Sequence, residues 1–130
     1  MVTYLSGDIF RNFIADDEII VREGDTATVP IFFDTTFAGF TTLSSGEVNN
    51  LGTLNIYGFA YFISGLTNQI DGTINVGEEG GTNFQQVQIV DTSFNYGQFY
   101  VNSLFTSFEI FSDFYNGASG QFINRGITGN

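Results

Sequence analysis

Carboxylates are the side chains of this sequence with the most chemistry to offer. The chain has 14 Asp and Glu residues against three Arg, with no Lys, His or Cys. Without His or Cys, neither a Ser-His-Asp nor a Cys-His nucleophile system can be built. Zinc and copper sites would lack their preferred ligands for the same reason. The chemistry that remains is paired-acid glycoside hydrolysis or the binding of calcium by oxygen ligands.

Three acidic segments are candidates for a calcium site. The candidate ligands are Asp16, Asp17, Glu18, Glu78, Glu79 and Asp113. None of the segments fits the EF-hand loop or the Gly-Gly-x-Gly-x-Asp nonapeptide. The alternative interpretation of each is a plain solvated loop. No cofactor is required by the sequence, and calcium is the one ion it suggests.

A catalytic acid pair is a second use for the same kind of side chain. Asp91, Glu109 and Asp113 lie in aromatic surroundings, where a sugar-cleaving pair could form. The alternative is that they face solvent on strands or form turns, and the sequence favours this alternative. We therefore expect that the chain is not an enzyme.

The charge balance limits the partners. A formal net charge of −11 repels phosphate backbones, so we expect no nucleic-acid binding. The longest nearly apolar run, residues 56–63, is too short to span a bilayer, and we expect no membrane insertion. A strongly acidic surface favours solubility, and its charges would be screened in a salty or calcium-rich medium. We therefore expect an extracellular or cell-surface location.

The secondary-structure signals predict one all-β domain over residues 1–130. Sixteen Phe, six Tyr and 16 Gly favour strands separated by turns, and helical periodicity is nearly absent. Short apolar or alternating runs include 19–21, 27–33, 54–57, 87–90, 98–101 and 108–111. Pro30 interrupts the second run, which predicts either an edge strand or a bulge there.

A Gly-polar-apolar-polar-apolar motif recurs along the chain. The sequence from Gly52 to Ile56 matches that from Gly72 to Val76, and segments beginning at Gly97 and Gly120 follow more loosely. The steps between these glycines are unequal. A period near 20 residues predicts stacked coils roughly 4.8 Å apart, with inward side chains forming a core and Asn residues forming amide ladders. About six such coils would fit this length.

The segment Ser45–Val76 carries a family resemblance. Its text, SGEVNNLGTLNIYG followed by LTNQIDGTINVGEEG, resembles the repeats of filamentous-haemagglutinin-like parallel β-helix proteins. The resemblance covers about a quarter of the chain well, and it implies a short parallel β-helix or solenoid.

A second resemblance points to a different fold. The segment Ile20–Val29, with its Val-x-Glu-Gly-Asp-x-Ala pattern, is similar to a strand pair of immunoglobulin-like and Calx-β-type sandwich domains. It implies a β-sandwich or jelly roll, with strands exchanged between subunits. Both folds stay open on the sequence alone.

Aromatic pairs indicate a surface that packs against other molecules. Alternation on a strand cannot bury both members of Phe32-Phe33, Phe99-Tyr100 or Phe114-Tyr115, so some aromatic rings must face outward. Strand-like ends without a polar cap would let one subunit continue the next. The predicted assembly residues are Val2, Tyr4, Leu5, Phe122, Ile123 and Ile127.

These features predict a structural protein that self-assembles head to tail into an extracellular filament or surface layer, with itself as partner. The alternative is a carbohydrate- or surface-binding adhesin or fibre module, for which surface glycans would be the partner. Outward Phe favours protein packing, whereas sugar platforms use Tyr and Trp more readily, and Trp is absent.

Overall fold

Short β-strands make up the regular structure, and they fall into three sheets. A computed structural model describes residues 2–8, 13–15, 18–37, 41–78, 85–102 and 106–124, and no helix occurs in these ranges. Sheet A contains β1 (Val2–Tyr4), β4 (Glu18–Val21), β7 (Thr41–Ser44), β10 (Phe59–Phe62), β13 (Gln85–Ile89) and β16 (Thr106–Ile110). Sheet B contains β2 (Gly7–Asp8), β5 (Thr26–Val29), β8 (Glu47–Asn50), β11 (Leu66–Asn68), β14 (Ser93–Asn95) and β17 (Phe114–Asn116). Sheet C contains β3 (Phe13–Ala15), β6 (Asp34–Phe37), β9 (Thr53–Ile56), β12 (Thr73–Val76), β15 (Gln98–Val101) and β18 (Gln121–Asn124).

The chain winds into a parallel β-solenoid. Three consecutive strands, one in each sheet, form one turn of the solenoid, which we call a rung. Because each sheet has six strands, the described residues form six rungs. Every pairing between neighbouring strands is parallel. The all-β class and the predicted solenoid of about six coils are confirmed. The alternative of a β-sandwich or jelly roll is wrong, because those folds are built from antiparallel strands.

The four glycine motifs lie in register in sheet C. Thr53 pairs with Thr73, Thr73 with Gln98, and Gln98 with Gln121, so the residue after each motif glycine occupies the same column. A Cβ atom on Gly97 would collide with backbone carbonyl oxygens of the preceding rung. The glycine is therefore needed because successive rungs approach closely at this corner.

The unequal spacing of the motifs arises in the connections between strands. Residues 57–58 link β9 to β10, whereas residues 77–84 link β12 to β13. The sheets keep their register on both sides of these connections. Corners of different length thus absorb the irregularity that the sequence shows.

Alternate side chains of the strands in the inner rungs fill a continuous core. In β9, β12 and β15 the second and fourth residues are buried, while the first and third lie half-exposed. Aromatic rings concentrate towards the C-terminal end, where Phe99 stacks on Phe122 with ring centroids 5.0 Å apart. Phe108 and Phe114 meet Phe99 edge-on, each at 5.7 Å. Burial of these large apolar surfaces is the main stabilising term.

Asparagine side chains at the ends of four sheet B strands form a ladder whose first three members are buried. The Nδ2 of Asn50 donates to the Oδ1 of Asn68, Asn68 to Asn95, and Asn95 to Asn116, each across 2.8 Å. The same amino groups also donate to backbone carbonyls at the corner; Asn68, for example, bonds the Gly72 oxygen at 3.2 Å. The predicted amide ladders are confirmed, and they satisfy polar groups that would otherwise be costly to bury.

The segment that resembles a sandwich strand pair is one corner of the second rung. β4 and β5 belong to different sheets, and the turn between them includes Gly24 with a φ of 86°. The sandwich-type resemblance therefore reflects a local turn shared by both folds.

The prediction of an edge strand or bulge at Pro30 is wrong. β5 lies between β2 and β8 in sheet B, and it ends at Val29, so Pro30 falls in the following turn. The Pro30 carbonyl accepts a hydrogen bond from the Phe33 N–H at 3.1 Å. Phe32 has a φ of 70° and is 93% exposed. The turn thus replaces the strand predicted over residues 30–33.

Candidate functional site

The described calcium candidates are far apart on the surface. Glu18 begins the second rung, Glu78 follows β12 of the fourth rung, and Asp113 precedes β17 of the sixth rung; all three are exposed. Asp16, Asp17 and Glu79 lie outside the described residues. Within the described ranges, no group of three or more acidic, His or Cys side chains is placed to hold a metal ion. Calcium binding stays a prediction.

The candidate catalytic acids take part in local turn structure. The Oδ1 of Asp91 accepts a hydrogen bond from the Thr92 N–H at 2.8 Å, and Asp113 accepts one from the Tyr115 hydroxyl at 3.5 Å. Glu109 lies on β16, half-buried. The contacts of Asp91 and Asp113 match their interpretation as turn formers.

The predicted assembly residues that the structure describes lie at the two ends of the solenoid. Tyr4 is 54% exposed in the first rung and carries the Arg22 guanidinium carbon 4.1 Å above its ring. Leu5 is buried in the core, whereas Phe122 and Ile123 lie on β18 of the sixth rung, half-buried and exposed respectively. Val2 pairs with Glu18 through the backbone, and Ile127 lies outside the described residues. Whether these residues form an interface stays a prediction.

A groove of about 310 Å³ runs along the outer face of sheet B. Its lining comes from the second to the fifth rung and consists of Thr26, Glu47, Val48, Asn49, Ser64, Gly65, Thr67, Gln69, Thr92 and Phe94. A second hollow of about 280 Å³ shares Thr26, Glu47 and Ser64 with it and extends it to the corner at Asp25. Three rung intervals make the lined stretch about 14 Å long.

Gly65 creates the depression at the middle of the groove. It occupies the position that Glu47 fills in the rung before, because Leu66 pairs with Val48. Its φ of 120° is strained for other residues, and a Cβ there would lie 2.9 Å from the Thr92 carbonyl oxygen. The missing side chain leaves a space between the side chains of Glu47 and Thr92.

Two amide side chains are fixed on one wall of the groove. The Nε2 of Gln69 donates to the Oδ1 of Asn49 at 2.8 Å, across neighbouring rungs. This bond leaves the Asn49 Nδ2 and the Gln69 Oε1 without a partner in the described part of the chain. One oriented donor and one oriented acceptor therefore remain available to a ligand.

Stacked aromatic rings close the C-terminal end of the groove. Phe94 stands between Thr67 and Tyr115 in a single column of sheet B. Its ring stacks on Tyr115 with centroids 5.5 Å apart and on Tyr96 at 6.1 Å, with interplanar angles of 15° and 8°. Because Tyr115 covers one side of Phe94, the side towards Thr67 faces the groove.

The sequence prediction did not identify this groove. Asn49, Thr67 and Phe94 are neighbours in paired strands, but they lie 18 and 27 residues apart along the chain. Their proximity can be recognised only when the register of the strands is known. The available signal was the alternation within strands such as Ser93–Asn95, whose middle residue must face outward.

None of the described residues belongs to a helix long and apolar enough to cross a membrane. Comparisons with protein-family models, with curated proteins and with solved structures find no match to this chain. The resemblance to filamentous-haemagglutinin-like repeats is therefore supported at the level of the parallel solenoid fold, by the strand pairing alone.

Proposed function

We propose that this chain is a non-catalytic structural protein that assembles head to tail into an extracellular filament or surface layer. The observation that carries the proposal is that, within the residues the structure describes, the aromatic core ends in the sixth rung with rings that are only half-buried. Phe114 and Phe122 in the sixth rung are only half-buried, although their rings pack on Phe99 of the fifth. A further layer of apolar side chains would complete their burial, with a gain of roughly 25 cal/mol per Å².

Open strand edges supply the complementary backbone contacts. Among the described residues, β16, β17 and β18 have a neighbour on one side only, and so do β1, β2 and β3 at the other end. Unpaired strand edges are templates for pairing with another chain. Because all strands run in parallel, the first rung of a second copy can continue the ladders of the sixth rung. Such a heterologous contact repeats without closing and produces a filament.

The acidic surface makes this assembly dependent on salt. Copies with a formal net charge of −11 repel one another. The Debye length falls from about 30 Å at 0.01 M to about 10 Å at 0.1 M ionic strength, so salt weakens that repulsion. We expect polymers at extracellular ionic strength and fewer at low salt.

Two Lys substitutions on β18 test the proposal. Phe122→Lys places a charge at the inward-facing end of the core, whereas Gln121→Lys adds the same charge to the outward face of the same strand. Sedimentation velocity and negative-stain microscopy should show polymers for the wild type and Gln121→Lys. Phe122→Lys should sediment as a monomer, with circular dichroism confirming that it is folded.

A wild-type protein that stays monomeric at high concentration and physiological salt would overturn the proposal. Polymers of Phe122→Lys that match those of the wild type would contradict the end-to-end contact, because a buried unpaired charge at that interface is strongly unfavourable.

A further inference from the structure

We infer that the groove on the outer face of sheet B binds a neutral polysaccharide chain. The groove is elongated along the solenoid axis, open to solvent, and lined by side chains from four successive rungs. A polymer with a short repeat fits such a shape better than a compact ligand. This site lies on the side of the solenoid, so it does not depend on contacts at the ends.

The polar groups of the groove suit hydroxyl-rich ligands. The Asn49–Gln69 pair offers an amide donor and an amide acceptor held in place by their mutual bond. The hydroxyl groups of Thr26 and Thr67 have no side-chain hydrogen bond within the described residues. A sugar hydroxyl both donates and accepts, so it can satisfy each of these groups, as the few polar contacts of a ligand site must.

The aromatic end of the groove suits the apolar face of a sugar ring. Phe94 lines the groove with one side of its ring, and Tyr115 supports the other at 5.5 Å. An aromatic ring held by a stacked neighbour loses little freedom when a ligand packs on it. Tyr96 is 37% exposed beside Phe94 and widens the platform.

The charges around the groove select against acidic ligands. Glu47 lines it, and Asp25 lines the hollow that continues it. Both carboxylates and the formal net charge of −11 oppose the approach of uronic acids or sulfated sugars. Among the described residues, no Arg lines either hollow. A neutral chain meets none of this repulsion.

The experiment is isothermal titration of the full chain with cellohexaose, maltohexaose and mannohexaose, together with an oligogalacturonate as the anionic probe. We expect at least one neutral hexasaccharide to bind and the oligogalacturonate not to bind. Phe94→Ala should weaken that binding by about tenfold or more, because it removes the aromatic platform.

Thr67→Phe is the more selective variant, since it fills the groove while keeping a residue type that strands favour. Its matched control is Thr73→Phe, which makes the same change on the outer face of sheet C. Binding should be lost in Thr67→Phe and retained in Thr73→Phe, with equal unfolding midpoints. Failure of every neutral hexasaccharide to bind, binding of the anionic probe alone, or unchanged binding by Thr67→Phe would overturn the inference.

Discussion

The Nδ2 of Asn68 donates a 2.8 Å hydrogen bond to the Oδ1 of Asn95, a residue 27 positions later in the chain. The two side chains are fully buried, one above the other, at the same corner of successive rungs. Asn68 also accepts a hydrogen bond from Asn50 on its other side. A polar column thus runs along the edge of a mainly apolar core, and its bonds help to fix the register of sheet B.

Removing a middle member of this column should cost much more than removing a half-buried amide outside it. Asn68→Ala leaves the carbonyl oxygens of Gly72 and Gln98 without their side-chain donor. We expect the free energy of unfolding to fall by about 3 kcal/mol in urea denaturation. The control is Asn75→Ala in the same rung, whose half-buried amide donates to Asn55, and which should cost under about 1 kcal/mol. Equal losses for the two variants would contradict the importance of the buried column.

The column can be extended by one rung. The Oδ1 of Asn50 is buried without a hydrogen-bond partner, and the residue paired with Asn50 in the preceding rung is Val29. Val29→Asn puts an amide donor beside that oxygen, so we expect the free energy of unfolding to stay within about 1 kcal/mol of the wild type. Val87→Asn makes the same change at a buried position paired with Ala60 and Phe108, neither of which has a side-chain acceptor. It should cost about 3 kcal/mol or more, and comparable losses in both variants would disprove the extension.

Tyr57 should make the protein less stable at alkaline pH. Burial raises the pKa of its phenol above the ordinary value of 10.0, and the negative charges of Glu78 and Asp34 raise it further. Above that ordinary value the unfolded chain releases the proton before the folded protein does. The free energy of unfolding therefore falls as pH rises through this range, up to the pKa of the folded state.

Urea midpoints measured from pH 8 to about 11 check this expectation. Tyr57→Phe should flatten the alkaline fall, and Glu78→Gln should flatten it partly by removing one of the two charges. An identical pH dependence in all three proteins would show that Tyr57 does not contribute.

The sequence repeat predicted much of the fold because, in sheet C, equivalent residues of the repeated motif are also the residues that pair between rungs. The residues after Gly52, Gly72, Gly97 and Gly120 are the ones that pair. The glycines recur because each must pass close to the backbone of the rung before it, and that requirement is visible in the sequence.

Other features could not be predicted because they depend on contacts with a neighbouring rung, and the sequence does not show which residues those contacts involve. The Glu23–Asp25 turn has the same local chemistry in a sandwich as at a solenoid corner, and only the partners of β4 and β5 distinguish the two. An Asn ladder was predicted, but its members were not, because Asn50 and Asn68 stand two and four residues before their motif glycines and no fixed spacing identifies them. The groove depends on the register that places Gly65 next to Thr92.

The perimeter of each rung and the axial repeat of the solenoid are controlled by different parts of the chain. Eight residues separate β12 from β13, against two between β9 and β10, yet β12 pairs in register with β9 and β15, and β13 with β10. A foreign peptide spliced into that connection would leave the stacking of the rungs intact. In a head-to-tail polymer, the same insertion point would recur once per subunit, which makes this corner a position for displaying a guest sequence as an evenly spaced array.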